Sequence, residues 1–217
     1  MTLANQNGQW TPRDYDLLET LALKVRILTL PQIAGGWWSE SANAVPNARR
    51  RLRQLVTAGL LRRCSLSIHP ILKLTMPICS WNPGDCPLDP GAVSWKLCNR
   101  WTEAPQAVTT YSASRQTVNL LASYGGSPPD FQHATHDAHV AEVYLWYLRH
   151  DPSTAAIWLG EDAFPKAGYR VKDPDAFAIG PDGNPTRAIE FGGRYDAERV
   201  ADFHQHCAER RLPYEIW

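Results

Sequence analysis

Apolar residues in this chain recur at two spacings, three to four residues apart in some stretches and every second residue in others. These are the periods of a helix face and of a strand face. TPRDYDLLETLALKVRILT (11–29) opens on Thr11-Pro12, a cap followed by a first-turn proline, and carries Leu17, Leu18, Leu21, Val25 and Leu28 at helical spacing. LPQIAGGWW (30–38) reads as a short second helix closed by Gly35 and Gly36. Residues 39–61 read as a third helix, with Pro46 early, a stripe of Leu52, Leu55 and Val56, and a stop at Gly59. Two β-like runs follow, LLRRCSLSI (60–68) and ILKLTMPICSW (71–81), around His69-Pro70. Residues 82–132 are less regular: a turn-rich NPGDCPLDPG (82–91), then stretches able to add a strand and a helix, then the break SPPD (127–130). HATHDAHVAEVYLWYLRHDP (133–152) is a helix whose face is Val140, Val143, Tyr144, Tyr147 and Leu148. A strand (155–164), a hairpin (172–193), a helix (196–211) and a terminal strand, PYEIW, complete the order. The expected class is mixed α/β, of α+β type, in three parts: 1–81, an extension at 82–132, and 133–217.

Charge sharpens this division. The net charge is zero, yet residues 1–80 hold ten Lys/Arg against four Asp/Glu, and residues 130–217 hold nine against fifteen. A basic half and an acidic half point to different tasks, the basic one facing a polyanion. Arg49, Arg50, Arg51, Arg53, Arg62 and Arg63 lie within fifteen residues with no acid between them. Three helices followed by a β-ribbon is the winged helix-turn-helix order, and RRLRQLVTAGLLRR resembles the third helix and wing entry of such domains. The resemblance implies double-stranded DNA as partner. Arg49, Arg50, Arg51 and Arg53 would then face the major groove, and Arg62 and Arg63 of the wing the backbone.

The hairpin raises a separate question. DAFAI and TRAIEF flank GPDGNP, whose Asp-Gly is a turn signal. A turn centred between Asp182 and Gly183 pairs residues whose numbers sum to 365, which sets Asp175 opposite Glu190. Like charges that close repel unless a cation neutralises them, and a divalent ion with oxygen ligands would do so. Pro174-Asp175, Glu190 and a helical Glu142 resemble the PD-(D/E)xK nuclease superfamily. That resemblance implies a restriction-endonuclease-like fold, with Asp175 and Glu190 as ligands of Mg²⁺ or Mn²⁺ and Glu142 assisting. Its lysine falls on Gly192, leaving Arg194 or Lys172 as the nearest cations. Arginine stays protonated and is a poor base.

The whole layout resembles the replication-relaxation family of mobile elements. It shares an H-x-x-x-V helix (His136 to Val140), a strand ending in Glu161, PDA (174–176), and an Ile-Glu strand end followed by a glycine. This implies a role in plasmid or phage DNA maintenance, transfer or regulation, through a winged helix and a degenerate nuclease-like domain. Two other readings are a metal-dependent endonuclease using Glu142, Asp175, Glu190 and Arg194, and a protein–protein adaptor whose acidic half and tryptophans meet a partner.

The remaining features narrow the field. Cys64, Cys79, Cys86, Cys98 and Cys207 match no common zinc spacing and read as reduced thiols. His136 and His139 share a helix face but read as surface or partly buried histidines. Neither a G-x-S-x-G elbow nor a phosphate loop is present, so no nucleotide cofactor is expected. The longest apolar runs are too short to span a bilayer, and MTLANQNGQW lacks a signal pattern. A cytoplasmic protein without a membrane partner is expected, with homodimerisation open to it.

Overall fold

The computed structural model describes residues 10–164 and 173–217. Helix α1 (Pro12–Glu19) begins with a reciprocal cap in which Thr11 and Asp14 satisfy each other's backbone amides, and it continues into a π-helical turn at Thr20–Lys24. A two-residue strand β1 (Leu28–Thr29) runs into α2 (Leu30–Trp37), which is capped in the same way by Thr29 and Gln32. Helix α3 (Ala44–Thr57) buries Ala48, Leu52 and Leu55 and ends before Gly59, whose φ of +73° suits a residue without a Cβ.

Strand β2 (Leu61–Ile68) was expected to pair with the run at 71–81, and it does not. Residues 79–81 instead form β3 (Cys79–Trp81), on the edge of a different sheet. The partner of β2 is β4 (Gln106–Ala113), antiparallel from Leu61↔Ala113 to Ile68↔Gln106. Between β3 and β4 lies α4 (Pro90–Cys98), and after β4 comes the short α5 (Arg115–Leu120), capped by Ser114. The physical reason is long-range. The chain after His69-Pro70 is captured by the second half of the molecule, where the Leu72 amide donates to His139 and the Ile78 amide to the Ile216 carbonyl.

The second half starts with α6 (Ala134–His150) and the short α7 (Pro152–Ala156). Strand β5 (Trp158–Gly160), hairpin strands β6 (Ala176–Ile179) and β7 (Pro185–Glu190), α8 (Ala197–Glu209) and β8 (Tyr214–Ile216) follow. The sheet order is β3-β8-β7-β6-β5. Its neighbours are antiparallel except β7 and β8, which are parallel and joined through α8 as the crossover such a pair requires. Helix α4 packs Val93 and Leu97 against Val200, Phe203 and Cys207 of α8. Mixed α/β is therefore the class observed.

One apolar cluster runs from Leu17 of α1 through α2, α3 and α6 to Trp158, Phe191 and Trp217, joining the basic and acidic halves. Lys24 fastens them further. Its Nζ donates to the carbonyls of Ala155 (3.0 Å), Ala156 (3.4 Å) and Trp158 (3.3 Å), closing the end of α7, while Trp158 Nε1 returns a bond to the Lys24 carbonyl (2.9 Å). No helix among the described residues is long and apolar enough to cross a membrane.

Candidate functional site

The hairpin pairs Ala176↔Ile189, Phe177↔Ala188 and Ala178↔Arg187, the register that the sequence implies. The turn itself differs. It is a longer loop in which the Gly180 amide donates to the Asn184 carbonyl and Gly183 adopts a φ of +80°. A register shift between Ala178 and Ile179 pairs Ile179 with Pro185 and absorbs the difference. Beyond Ala176 the chain brings Asp175 against Glu190, whose Oε2 accepts the Asp175 backbone N–H at 3.2 Å.

The two carboxylates are balanced by the protein itself. Glu190 is fully buried and accepts the Tyr195 hydroxyl on Oε1 in a very short hydrogen bond. Asp175 Oδ2 accepts the Phe191 amide at 2.7 Å and lies 3.2 Å from His136 Nε2. His136 Nδ1 lies 3.6 Å from Asp137. Burial opposes a charge on this imidazole, but Asp175 and Asp137 outweigh it and hold the His136 pKa well above the usual histidine range. A histidine thus stands against Asp175, one of the two carboxylates that the sequence assigned to a metal ion. Burial and the Glu190 carboxylate together raise the Tyr195 pKa, so this phenol stays protonated and donates.

A second cation lies next to it. Arg26 bonds Asp162 through Nε (3.1 Å) and one terminal nitrogen (2.8 Å), pairs with Glu161 at 2.6 Å, and comes within 4.0 Å of Asp137. These groups line a cleft of about 280 Å³ together with Asp175 and His133. Among the described residues no group of three or more His, Cys, Asp or Glu is arranged to hold a metal ion. The donor set does not fit a divalent cation as it stands. Oxygens of Asp175 and Glu190 already accept protein N–H and O–H groups, and the nearby acids Glu161 and Asp162 hold a guanidinium.

The other nuclease-pattern positions fall elsewhere. Glu142 lies on α6 away from the hairpin, accepting from Gln32 Nε2 (3.1 Å) and pairing with Arg149 (2.7 Å). Arg194 is exposed, with its guanidinium 5.8 Å from the centre of the Trp101 ring. Lys172 lies outside the described residues. At Gly192, the lysine position, an added Cβ would lie 2.7 Å from both Leu97 methyls and 3.0 Å from Ile216, so α4 closes the space a side chain would need. Sequence reasoning missed Arg26, Tyr195 and the pairing of His136 with Asp175. The signal available was His136 and His139, three apart on the helix before the hairpin.

His139 has the opposite character. It is fully buried, its Nδ1–H donates to the Thr135 carbonyl (2.7 Å), and its Nε2 accepts the Leu72 amide (3.2 Å), which fixes the neutral ring. Burial pushes its pKa down to about 4. A histidine lowered on folding contributes stability that is complete above about pH 6.5 and is lost as pH falls towards 4, because the unfolded chain takes up the proton first. The expected loss is about 2–3 kcal/mol between pH 7 and 4.5. Urea midpoints should show this in the wild type and a flatter acid limb in His139→Gln; parallel pH curves for the two proteins would refute it.

The arginines of α3 divide into two groups. Arg49, Arg50 and Arg53 are exposed on one face and make no ion pair among the described residues, and Arg63 of β2 is likewise exposed. Arg51, expected to contact DNA, turns the other way. Its Nε and a terminal nitrogen grip both oxygens of the buried Asp14 at 2.9 and 2.7 Å. The Arg51 guanidinium and the Thr11 cap override the burial of Asp14 and lower its pKa. Arg51 therefore anchors α3 to α1. Arg51→Ala should cost about 2–3 kcal/mol of stability, since it strands a buried carboxylate, and a thermal shift of under 2 °C would contradict this role. Arg62 is half-buried and donates to the Gly126 carbonyl at 2.5 Å. Among the described residues no disulfide joins any of the five cysteines.

Comparison of the chain with known proteins finds no matching family model, no matching curated protein and no matching solved structure.

Proposed function

We propose that this protein binds double-stranded DNA through α3, in the manner of a winged helix, and that its nuclease-like half serves assembly or regulation rather than cleavage. The observation that carries the reading is the bare stripe of Arg49, Arg50 and Arg53. Three guanidiniums on one exposed helix face, without acidic partners among the described residues, repel one another until a polyanion neutralises them. Arg63 on the adjoining strand extends the stripe. On the other side, the hairpin carboxylates are neutralised by His136 and by N–H and O–H donors, and the lysine position is filled by α4. Both features agree with the resemblance to replication-relaxation proteins, and the expected setting is cytoplasmic mobile-element DNA.

The test is binding to a labelled duplex at several salt concentrations. Three to five phosphate contacts give a slope of log affinity against log salt of about −3 to −5. Affinity that barely responds to salt would favour the adaptor reading. Metal-dependent nicking of a supercoiled plasmid that disappears in Glu190→Gln would favour the endonuclease reading.

A further inference from the structure

We infer that the groove between α1 and α3 is a second DNA-contact site, one that takes the phosphodiester backbone beside the segment read by α3. The inference rests on the reading of α3 as the DNA-contacting helix and adds a site to it. The groove is open, about 900 Å³, and runs along the flank of α3 where Asn47, Arg50 and Gln54 follow one another at one-turn spacing. Its opposite wall carries Arg13 from the first turn of α1 and Trp38 from the end of α2.

Two observations make this an anion site. Arg13 is exposed, with its guanidinium 4.9 Å from the centre of the Trp38 ring. A cation–π contact with a largely buried indole restricts the exposed side chain, so less freedom remains to be lost on binding. Second, the buried acid of the groove, Asp14, is already paired with Arg51, which leaves Arg13 and Arg50 without an ion pair among the described residues, against the exposed Glu40.

The choice of ligand follows from continuity and size. Arg50 belongs both to this groove and to the exposed stripe of α3, so a polyanion lying on the stripe passes the groove without a gap. The volume is too open for a single inorganic phosphate and suits a run of backbone. The fork of Arg13 is a donor matched to phosphate oxygens, while the Asn47 amide already gives one N–H to Ser41 Oγ at 3.0 Å. Such a contact adds affinity without reading bases.

The experiment is fluorescence anisotropy of two duplexes of unrelated sequence, at four salt concentrations, with wild type, Arg13→Ala and the double variant Arg50→Glu/Arg53→Glu. Arg13→Ala is expected to weaken binding about five- to tenfold on both duplexes alike, and to reduce the salt slope by about one. Arg13 is exposed, so the fold should be unaffected, and matching circular dichroism and melting curves check that. Unchanged affinity and slope in Arg13→Ala, with binding lost in the double variant, would overturn the groove while leaving α3 as the contact. A loss confined to one duplex would also overturn it, since it would make Arg13 a base reader. Wild-type binding in all three proteins, or in none, would bring down both readings.

Discussion

Putting lysine back at position 192 is expected to destabilise the protein by about 3 kcal/mol or more and to yield no nicking activity. The nuclease pattern calls for a lysine two residues after Glu190, and its absence invites a restoring substitution. The geometry forbids it. A Cβ at Gly192 would lie 2.7 Å from the Leu97 methyls, and Leu97 is fully buried between α4, α8 and β8. Forcing a side chain into a closed core costs about 1–3 kcal/mol for its bulk alone. An ammonium there would add an uncompensated buried charge. Gly192 is not one of the residues that line the acidic cleft, in which Arg26 pairs with Glu161 and Asp162. Urea denaturation of Gly192→Lys and Gly192→Ala would measure the effect, with alanine costing the smaller amount. A Gly192→Lys protein with wild-type stability and Mg²⁺-dependent nicking would show that the site is a nuclease one residue short.

Reversing the charges of Arg50 and Arg53 is expected to lower DNA affinity by more than 100-fold, about 3 kcal/mol, with little change in stability. Each reversal removes an attraction to phosphate and adds a repulsion, and the two sites share one helix face. Both side chains are exposed and carry no structural ion pair among the described residues, so folding should shift by less than about 0.5 kcal/mol. Arg51→Glu supplies the contrast. It faces Asp14, so its reversal should destabilise the fold more than Arg51→Ala does, by setting a partly exposed acid against the buried Asp14. Equal DNA affinity in wild type and the Arg50→Glu/Arg53→Glu variant would remove α3 as the contact element.

Which arginines could be told apart marks how far the sequence reached. Amphipathic spacing set the buried stripe of α3 at Leu52 and Leu55 and left Arg49, Arg50 and Arg53 on the opposite face, because a helix fixes its faces within a few residues. Arg51 sits at the edge of that stripe. Its fate depended on a buried aspartate thirty-seven residues away, which no local pattern reveals. The hairpin behaves in the same way. The Asp-Gly turn signal set the pairing of Ala176 with Ile189 and so the meeting of Asp175 with Glu190, and a register shift between Ala178 and Ile179 kept that pairing although the loop is longer than the turn assumed. What neutralises that meeting was decided elsewhere. His136 reaches Asp175 from α6, Tyr195 reaches Glu190 from beyond β7, and Arg26 reaches Glu161 and Asp162 from the basic half.

The strand order shows the same limit most plainly. Residues 60–68 and 71–81 are both strand-like, and adjacency in sequence made them natural partners. In the folded chain β2 pairs with β4, and residues 79–81 pair with the far end of the molecule at Tyr214–Ile216. Alternation tells a strand which face to bury but not which edge to join. That choice depends on which long loop can be closed with the greatest burial. The sequence by itself determined helices α2, α3, α6 and α8, the buried face of α3, the mixed α/β class and the hairpin register, all properties of neighbouring residues; it did not place α4 or α7, and it carried the first helix to residue 29, where Leu28–Thr29 form β1. Tertiary structure alone decided the strand partners, the closure of position 192 by Leu97, and the pairing of Arg26 and His136 with the acids around the hairpin, because each is a contact between segments whose separation along the chain carries no local signal.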